Sequence, residues 1–206
     1  MVFTPLILLL LPVSYVSRSG TAERSPESIV RELYQQVVAR RPLGIPKGED
    51  KAAIWPFLSR GLIRSLEAAQ ACEDDYSRQH AGADGKPGFG WLETGLFSGA
   101  NERGVPATAA VERTDPGKDG SSHIYVLLTY KESFQTYGRP PDSANTFHWH
   151  VVAVVILESG RFVVEDVLLF TDASEKIESH LARSFPGCDG SRWIGDKMNQ
   201  LGPTKN

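Results

Sequence analysis

Residues 147–170 read FHWHVVAVVILESGRFVVEDVLLF, and this stretch decides the fold class. Two runs rich in β-branched and aromatic residues, 147–157 and 162–170, flank the segment ESGR at 158–161. Such runs on either side of a short glycine-containing turn are typical of a β-hairpin. The stretch therefore predicts two antiparallel strands that lie side by side.

The turn also predicts which residues of the two strands are paired. If Ser159 and Gly160 are its central residues, the predicted pairs include His150 with Leu169, Val154 with Glu165, and Ala153 with Asp166. Because side chains alternate between the faces of a strand, one face is expected to hold His148, His150, Glu165, Val167 and Leu169, and the other Trp149, Ala153 and Asp166. Both faces are rich in apolar residues. We expect helices to cover one of them and a pocket, a sheet layer or a partner to cover the other, so that copies of the chain could associate through the outer sheet face.

Two helices are predicted ahead of the strands. Ser25-Pro26-Glu27 combines a capping serine, a proline at the first helical position and an early acid, and Arg40-Arg41-Pro42 ends the apolar stripe that follows. A second helix is predicted over 60–79, with Cys72 on its apolar face. Residues 42–53 are predicted to form a loop, and the acids Glu73-Asp74-Asp75 to be mostly solvated. In the glycine-rich segment 81–95, Phe89 and Trp91 are expected to anchor the chain or to roof a pocket.

Further strands and a last helix complete the predicted order. Alternating apolar residues over 105–111 and the β-branched run 124–134 predict two strands joined by a turn at 115–120. A third helix is predicted from Ser174, with Ile177 and Leu181 turned inward. Helices followed by an antiparallel meander indicate an α+β fold, with one domain over 23–185 and an irregular tail over 186–206 that Cys188 and Trp193 anchor.

The first residues resemble a secretory signal peptide. An apolar stretch of about 12 residues runs from Pro5 to Val16, which suits the core of a signal peptide and is shorter than the ~20 residues of a membrane span. Small residues follow, and cleavage after Ala22 or Ser19 fits them. The basic residues that usually precede such a core are missing, and a buried N-terminal helix is the alternative. The expected location is periplasmic or secreted, without a stable membrane anchor after cleavage.

The two cysteines gain a role if the chain is exported. Cys72 and Cys188 are 116 positions apart, and an oxidising compartment favours a disulfide between them. Closing so long a loop would stabilise the fold by about 4–5 kcal/mol on the chain-entropy model. Two free, buried thiols are the alternative.

Composition and motifs exclude several classes of function. The net charge is −3 without a basic block, so a nucleic-acid partner is not expected. The sequence has no HExxH, CxxC, GxxxxGK[ST] or GxSxG motif, and no cofactor is expected. The partner is expected to be a small molecule or a protein.

The hairpin carries the candidate site residues. His148 and His150 lie on one face about 6.5 Å apart, a spacing that could hold a metal ion if His123, Asp142 or His180 joined them. We nevertheless expect no metal. Glu165 and Asp166 are candidate general bases, because a carboxylate in an apolar layer has a raised pKa unless it is paired. The alternative is an acid whose charge is satisfied by a backbone donor, by Tyr125, Tyr130 or Lys131, or by an arginine. The candidate ligand-binding residues are His148, Trp149 and His150 of the hairpin and Tyr125 of the preceding strand.

The order of elements is similar to that of the nuclear transport factor 2-like superfamily. The resemblance rests on Leu96-Phe97-Ser98 before the strands and on Phe162-Val163-Val164-Glu165-Asp166-Val167 in the last strand. It covers about residues 25–172 and is strongest to an exported bacterial family of unknown function. It implies a curved antiparallel sheet that wraps the helices into a cone. Enzymes of this superfamily use an acid or a histidine inside the cone, and their catalytic residues do not map onto this chain one by one.

Two functions are therefore expected. The first is an exported, non-enzymatic domain that binds a small molecule or a protein. The second is a small pocket enzyme of the isomerase, dehydratase or hydrolase kind, with Glu165 or Asp166 as the general base.

Overall fold

The structure is a computed structural model, and it describes residues 24–82, 91, 94–101, 105–131, 146–170, 177–183 and 185–195. The predicted signal peptide at 1–22 lies outside the described residues, as do Phe89 and Asp142. The described chain is an α+β fold, in which N-terminal helices pack on one face of a five-stranded antiparallel sheet. No described helix is both long enough and apolar enough to cross a membrane.

Helix α1 spans Pro26–Arg40 and begins and ends as the sequence predicts. The Ser25 side chain accepts a hydrogen bond from the Ser28 amide at 3.2 Å, a cap that contributes about 1 kcal/mol. Arg41 ends the helix in a left-handed conformation with φ of 52°. The apolar stripe of the helix is buried against the sheet; its buried residues are Ile29, Val30, Leu33, Tyr34 and Val37.

Two more helices follow. Helix α3 spans Arg60–Gln79, which confirms the predicted bounds, and Ser59 caps it by accepting from the Leu62 amide at 3.0 Å. The prediction of a loop over 42–53 is wrong in its second half. There, Gly48–Ile54 forms the short helix α2, and Trp55–Phe57 adds a 3-10 turn. Seven residues are too few for the apolar periodicity that identifies a helix in a sequence.

The main sheet has the order β3-β4-β5-β6-β7. A small hairpin precedes it, formed by β1 (Thr94–Gly95) and β2 (Ala100–Asn101). The strands of the main sheet are β3 (Thr108–Pro116), β4 (Ser122–Lys131), β5 (Thr146–Glu158), β6 (Arg161–Phe170) and β7 (Ile177–His180). Every neighbouring pair is antiparallel.

The β5–β6 hairpin has the predicted turn but only part of the predicted register. Ser159 and Gly160 both have positive φ, 52° and 80°, as a tight two-residue hairpin turn requires. Next to the turn the predicted pairing holds, and Leu157 pairs with Phe162. Further along, Glu165 is an extra residue that opposes no partner, so that a β-bulge shifts every later pair.

The bulge makes three predicted pairs wrong and moves the later side chains to other faces. The observed pairs are Val154 with Asp166, Ala153 with Val167, and Val151 with Leu169. Asp166 consequently shares a face with Val154 rather than with Trp149. Val167 and Leu169 pack into the core beneath the helices. A one-residue insertion exchanges the two faces of all residues beyond it.

The helix predicted from Ser174 is wrong over Ile177–His180, which forms strand β7. This segment pairs with the edge of β6, where Leu168 faces His180, and so satisfies its backbone groups in the sheet. A 3-10 turn follows at Leu181–Arg183, and Leu181 is buried as predicted.

The tail is joined to α3 by the disulfide between Cys72 and Cys188, which confirms that prediction. Strands β8 (Cys188–Asp189) and β9 (Arg192–Trp193), of two residues each, form a small hairpin there. The Trp193 ring meets the Tyr76 ring edge-on, with 5.2 Å between the centroids. Asp75 accepts a hydrogen bond from the Trp193 amide at 2.9 Å, and this bond is the main reason that the pKa of Asp75 is lowered.

Candidate functional site

A groove of about 540 Å³ lies between helix α1 and strand β3, at the edge of the sheet. Cavities of this volume fall within the range that accommodates small ligands. The helix contributes one wall and the strand the other. The lining residues are Arg31, Tyr34, Gln35, Val38 and Ala39 of α1, the consecutive residues 107–111, and Val126 of β4.

Contacts at one end of α1 and in its middle hold the two walls in place. The Thr114 hydroxyl donates a hydrogen bond of 2.8 Å to the Glu27 carboxylate, which ties the first turn of α1 to β3. The pKa of Glu27 is lowered, first by a hydrogen bond from its own backbone amide and then by that from Thr114. Near the middle of α1, the buried Tyr34 hydroxyl donates to the Phe97 carbonyl at 2.8 Å.

The groove has the chemistry of a binding site. Its lining is mostly apolar, and the polar side chains are those of Arg31, Tyr34, Gln35 and Thr108. No carboxylate, histidine or cysteine is among the described residues that line it. General acid–base catalysis at neutral pH usually needs one of these groups within hydrogen-bond reach of the substrate.

A second, smaller cavity of about 230 Å³ lies where the loop before α2 meets α3. Glu73 is buried there, with 6% of its surface exposed. It accepts from Lys47 Nζ at 2.9 Å and from Trp91 Nε1 at 3.1 Å. The prediction that the acids at 73–75 are mostly solvated is therefore wrong for Glu73. A buried carboxylate persists only where such partners compensate for lost hydration.

Asp166 of β6 is a structural hydrogen-bond acceptor beside the end of β7. Its side chain is 13% exposed, and it accepts hydrogen bonds from three donors. These are the Val167 amide at 2.8 Å, the Ala182 amide at 2.9 Å and His180 Nδ1 at 2.8 Å. This geometry corresponds to the alternative of an acid bonded to backbone donors and not to that of a general base.

Glu165 lies apart from both cavities. As the bulge residue, it turns toward the start of α3, where a Cβ atom added to Gly61 would lie 2.9 Å from its Oε1 atom. The two predicted carboxylates are therefore neighbours in the sequence but lie in different surroundings in the structure. Neither lines the α1–β3 groove or the Glu73 cavity.

The candidate histidines share the outer face of the sheet, which is the face turned away from the helices. His148 Nδ1 and Thr129 Oγ1 share a hydrogen bond of 3.0 Å. His150 Nε2 lies 2.8 Å from Glu112 Oε2, and both side chains are exposed. Within the described part of the chain, no three histidines, cysteines or acids group closely enough to hold a metal ion.

The two aromatic candidates lie on opposite faces. Tyr125 is on the outer face, and the Arg113 guanidinium lies 3.4 Å from the centre of its ring. Trp149 is on the inner face, where its Nε1 donates to the Ser98 carbonyl at 2.7 Å. Trp149 and Tyr34 thereby both bond to carbonyls of the Leu96-Phe97-Ser98 segment, which gives that segment a structural role.

His123 and His180 lie too far along the sheet to join His148 and His150. His123 pairs with Val154 and His180 with Leu168, whereas His150 pairs with Leu127. Arg31, Gln35 and Lys47 line the two cavities and are not among the predicted site residues. Their local sequence is that of ordinary exposed helix and loop, and only the distant elements that pack beside them reveal their positions.

Comparisons with known proteins identify no relative: no family model, no curated protein and no solved structure matches the chain.

Proposed function

We propose that this chain is an exported, non-enzymatic binding domain whose ligand occupies the α1–β3 groove. The groove's lining supports this proposal most strongly. Its described lining residues are mostly apolar, include one cationic side chain, and include no carboxylate, histidine or cysteine. The ligand is a small molecule or a segment of a protein partner with apolar parts and one negative group that complements Arg31.

Export is part of the proposal. The Cys72–Cys188 disulfide supports it, because such bonds form and persist mainly in oxidising compartments. The apolar stretch of the first 16 residues, followed by small residues, supports it independently. N-terminal sequencing of protein collected outside the cytoplasm tests it, with cleavage after Ala22 or Ser19 as the expected result.

We also propose that the fold is a cone of the nuclear transport factor 2-like kind. The element order supports this, since the helices precede an antiparallel sheet and pack on one of its faces. The bulges at Glu112 and Glu165 support it as well, because a bulge bends its strand and increases the twist of the sheet. An experimental structure whose helices lie within a curved sheet is the expected outcome, and a flat sheet would reject it.

The groove is tested with a fluorescent probe that has an apolar body and one negative group, 8-anilinonaphthalene-1-sulfonate. Ala39→Trp fills the groove from its exposed wall, and Ala52→Trp places the same side chain on exposed α2 away from the groove. We expect Ala39→Trp to weaken probe binding by about tenfold, a loss of about 1.4 kcal/mol, and Ala52→Trp to leave it unchanged.

Charge is tested in the same titration. Arg31→Ala removes the cation of the groove, and Arg64→Ala removes an exposed cation of α3 that lines neither cavity. Weaker binding of the sulfonate probe by Arg31→Ala alone is the expected result. Equal affinities in all four variants would reject the groove as the binding site.

The alternative is a pocket enzyme that uses Glu165 or Asp166 as the general base. Its support is that both carboxylates are partly buried in an otherwise apolar strand. Against it, Asp166 is already bonded to three donors, and neither carboxylate lines the α1–β3 groove or the Glu73 cavity. An activity abolished by Glu165→Gln or Asp166→Asn in a folded protein would establish the alternative and displace the binding proposal.

A further inference from the structure

The strand wall of the groove is formed by backbone as well as by side chains. Five consecutive residues, 107–111, line it. Successive side chains of a strand point to opposite faces, so a pocket that met only one face would be lined by alternate residues. An unbroken run indicates that the groove runs along the edge of β3 itself.

No strand among the described residues pairs with that edge, although the Ala107 amide, just before β3, donates to the Thr129 carbonyl of β4 at 2.7 Å. β3 is the first strand in the sheet order, and β4 is its only strand neighbour among the described residues. The other edge of β3 faces α1 across the groove. Free amide and carbonyl groups on a sheet edge are a template for another strand.

The two halves of β3 differ in whether they have features that discourage pairing with another strand. The second half has the bulge at Glu112, the charges of Arg113 and Asp115, and Pro116, all of which discourage strand pairing. The first half, which lines the groove, is small and uncharged, and Thr108 and Ala110 are exposed. The half of β3 that lines the groove is therefore the half that lacks features against pairing with another strand.

The opposite wall selects the kind of strand. Val38 and Ala39 offer a small apolar surface, and Arg31 supplies a positive charge. The Arg31 side chain donates no hydrogen bond to any described residue, and its charge acts at a distance on Glu27, one turn before it, which accepts a hydrogen bond from Thr114. A segment of about five residues, roughly 17 Å long when extended, matches the 107–111 edge.

We propose that the ligand of the groove is an extended peptide segment of a partner protein, which adds to the 107–111 edge of β3 as a further strand. This inference depends on the function proposed above and specifies its ligand. The segment has small apolar side chains toward Val38 and Ala39 and one carboxylate near Arg31. Main-chain hydrogen bonds supply affinity, and the side chains supply specificity.

A second copy of the chain fits the groove less well. Its own β3 lies beside its own α1, so that edge-to-edge pairing would bring two helices against each other at the same edge. It would also place two Arg31 side chains in a groove that lacks a lining carboxylate. A single peptide segment avoids both conflicts.

The test uses the full chain with its disulfide and a pool of acetylated heptapeptides randomised over Ala, Val, Thr and Glu. A matched pool has N-methyl groups on alternate residues, which removes the amide donors on one edge. We expect the first pool to slow amide exchange over 107–111 and the N-methylated pool to bind at least about tenfold more weakly. Ala110→Lys, which puts a charge on the edge, is expected to reduce binding by about tenfold, and Leu157→Lys at an exposed position of β5 to leave it unchanged.

The outcomes separate this inference from the function on which it depends. If both pools bind the groove equally, strand addition is rejected and the binding function stands. If neither pool changes exchange at 107–111 and the sulfonate probe does not bind either, both proposals fail. Sedimentation of the protein alone gives the third outcome: a dimer that Ala110→Lys dissociates would identify a second copy as the occupant and overturn the peptide proposal.

Discussion

Asp166 and His180 are joined across the last strand pair of the sheet by a hydrogen bond of 2.8 Å from His180 Nδ1 to Asp166 Oδ2. The other oxygen of Asp166 accepts from the Val167 and Ala182 amides, so one side chain connects β6, β7 and the 3-10 turn at Leu181–Arg183. The Asp166 carboxylate thereby joins three segments of backbone through hydrogen bonds, which is called its bracket role below.

Asp166→Ala is predicted to lower the free energy of unfolding by about 2–4 kcal/mol. It leaves two amides and a histidine without their acceptor, and each unpaired buried group costs about 1–3 kcal/mol, less where water reaches it. Urea denaturation followed by circular dichroism measures the change. Asp189→Ala, at an exposed position of β8, is the control and should change stability by less than about 0.5 kcal/mol. A loss as small as that of the control would contradict the bracket role.

Tyr34 is predicted to make stability depend on alkaline pH. Burial raises the pKa of its phenol above the ordinary value of about 10. The unfolded chain therefore releases this proton as the pH rises past about 10, whereas the folded protein retains it. The contribution of the neutral phenol is complete below pH 10 and is lost above it, by about 1.4 kcal/mol per pH unit.

Tyr34→Phe should remove that share of the alkaline slope. The measurement is the free energy of unfolding in urea between about pH 9 and 11.5. Tyr130→Phe, on a partly exposed ring of β4, is the matched control and should retain the slope. At neutral pH, Tyr34→Phe should also cost about 1–2 kcal/mol, because the Phe97 carbonyl loses its donor. Identical slopes for the two variants would refute the prediction.

Glu73 is predicted to matter far more than its neighbour Asp74. Glu73→Ala leaves Trp91 Nε1 without an acceptor in a buried position and should cost about 2–3 kcal/mol. Glu73→Gln retains an acceptor oxygen and should cost less. Asp74→Ala, one residue along α3 and exposed, should change stability by less than about 0.5 kcal/mol. Thermal melting of the three variants measures the order, and equal losses at 73 and 74 would contradict the buried role.

The disulfide is predicted to stabilise the fold by about 2–5 kcal/mol. Replacing Cys72 and Cys188 together by alanine removes the cross-link without leaving a free thiol. The expected result is a lower denaturation midpoint in urea with the native circular dichroism spectrum retained. Mass spectrometry of the unreduced parent protein provides the check on its oxidation state; detection of two free thiols there would show that the bond does not form.

The sequence predicts those elements whose signals are local. The capping serine at 25 and apolar residues at helical spacing define α1, and apolar spacing alone defines α3. Ser159 and Gly160 define the hairpin turn, because few residues adopt positive φ there. The disulfide is predicted from a cysteine on the inner face of a predicted helix, a second cysteine in the tail, and the expected export of the chain.

The features that the sequence does not predict depend on distant contacts. Nothing in Val164-Glu165-Asp166 distinguishes a bulge from a regular strand, since both arrangements give acceptable local patterns. The three acids at 73–75 look alike in the sequence, and Glu73 differs through Trp91 and Lys47, which are 18 and 26 residues away. The α1–β3 groove arises from the spacing between elements that are more than 65 residues apart, and no local pattern encodes such a spacing.

The Cys72–Cys188 bond also divides the molecule mechanically. Strands β3 to β7 all lie within the covalent ring that the bond closes, whereas α1 lies outside it. The covalent path between the two ends of the chain passes through α1 and most of α3, crosses the sulfur bridge and continues into the tail, so a tensile force reaches the sheet only through non-covalent contacts. Because α1 is one wall of the groove and β3 is the other, stretching would separate the helix from the strand and release the bound ligand. The strands of the sheet would stay paired. Reduction of the bond would put the sheet itself under tension.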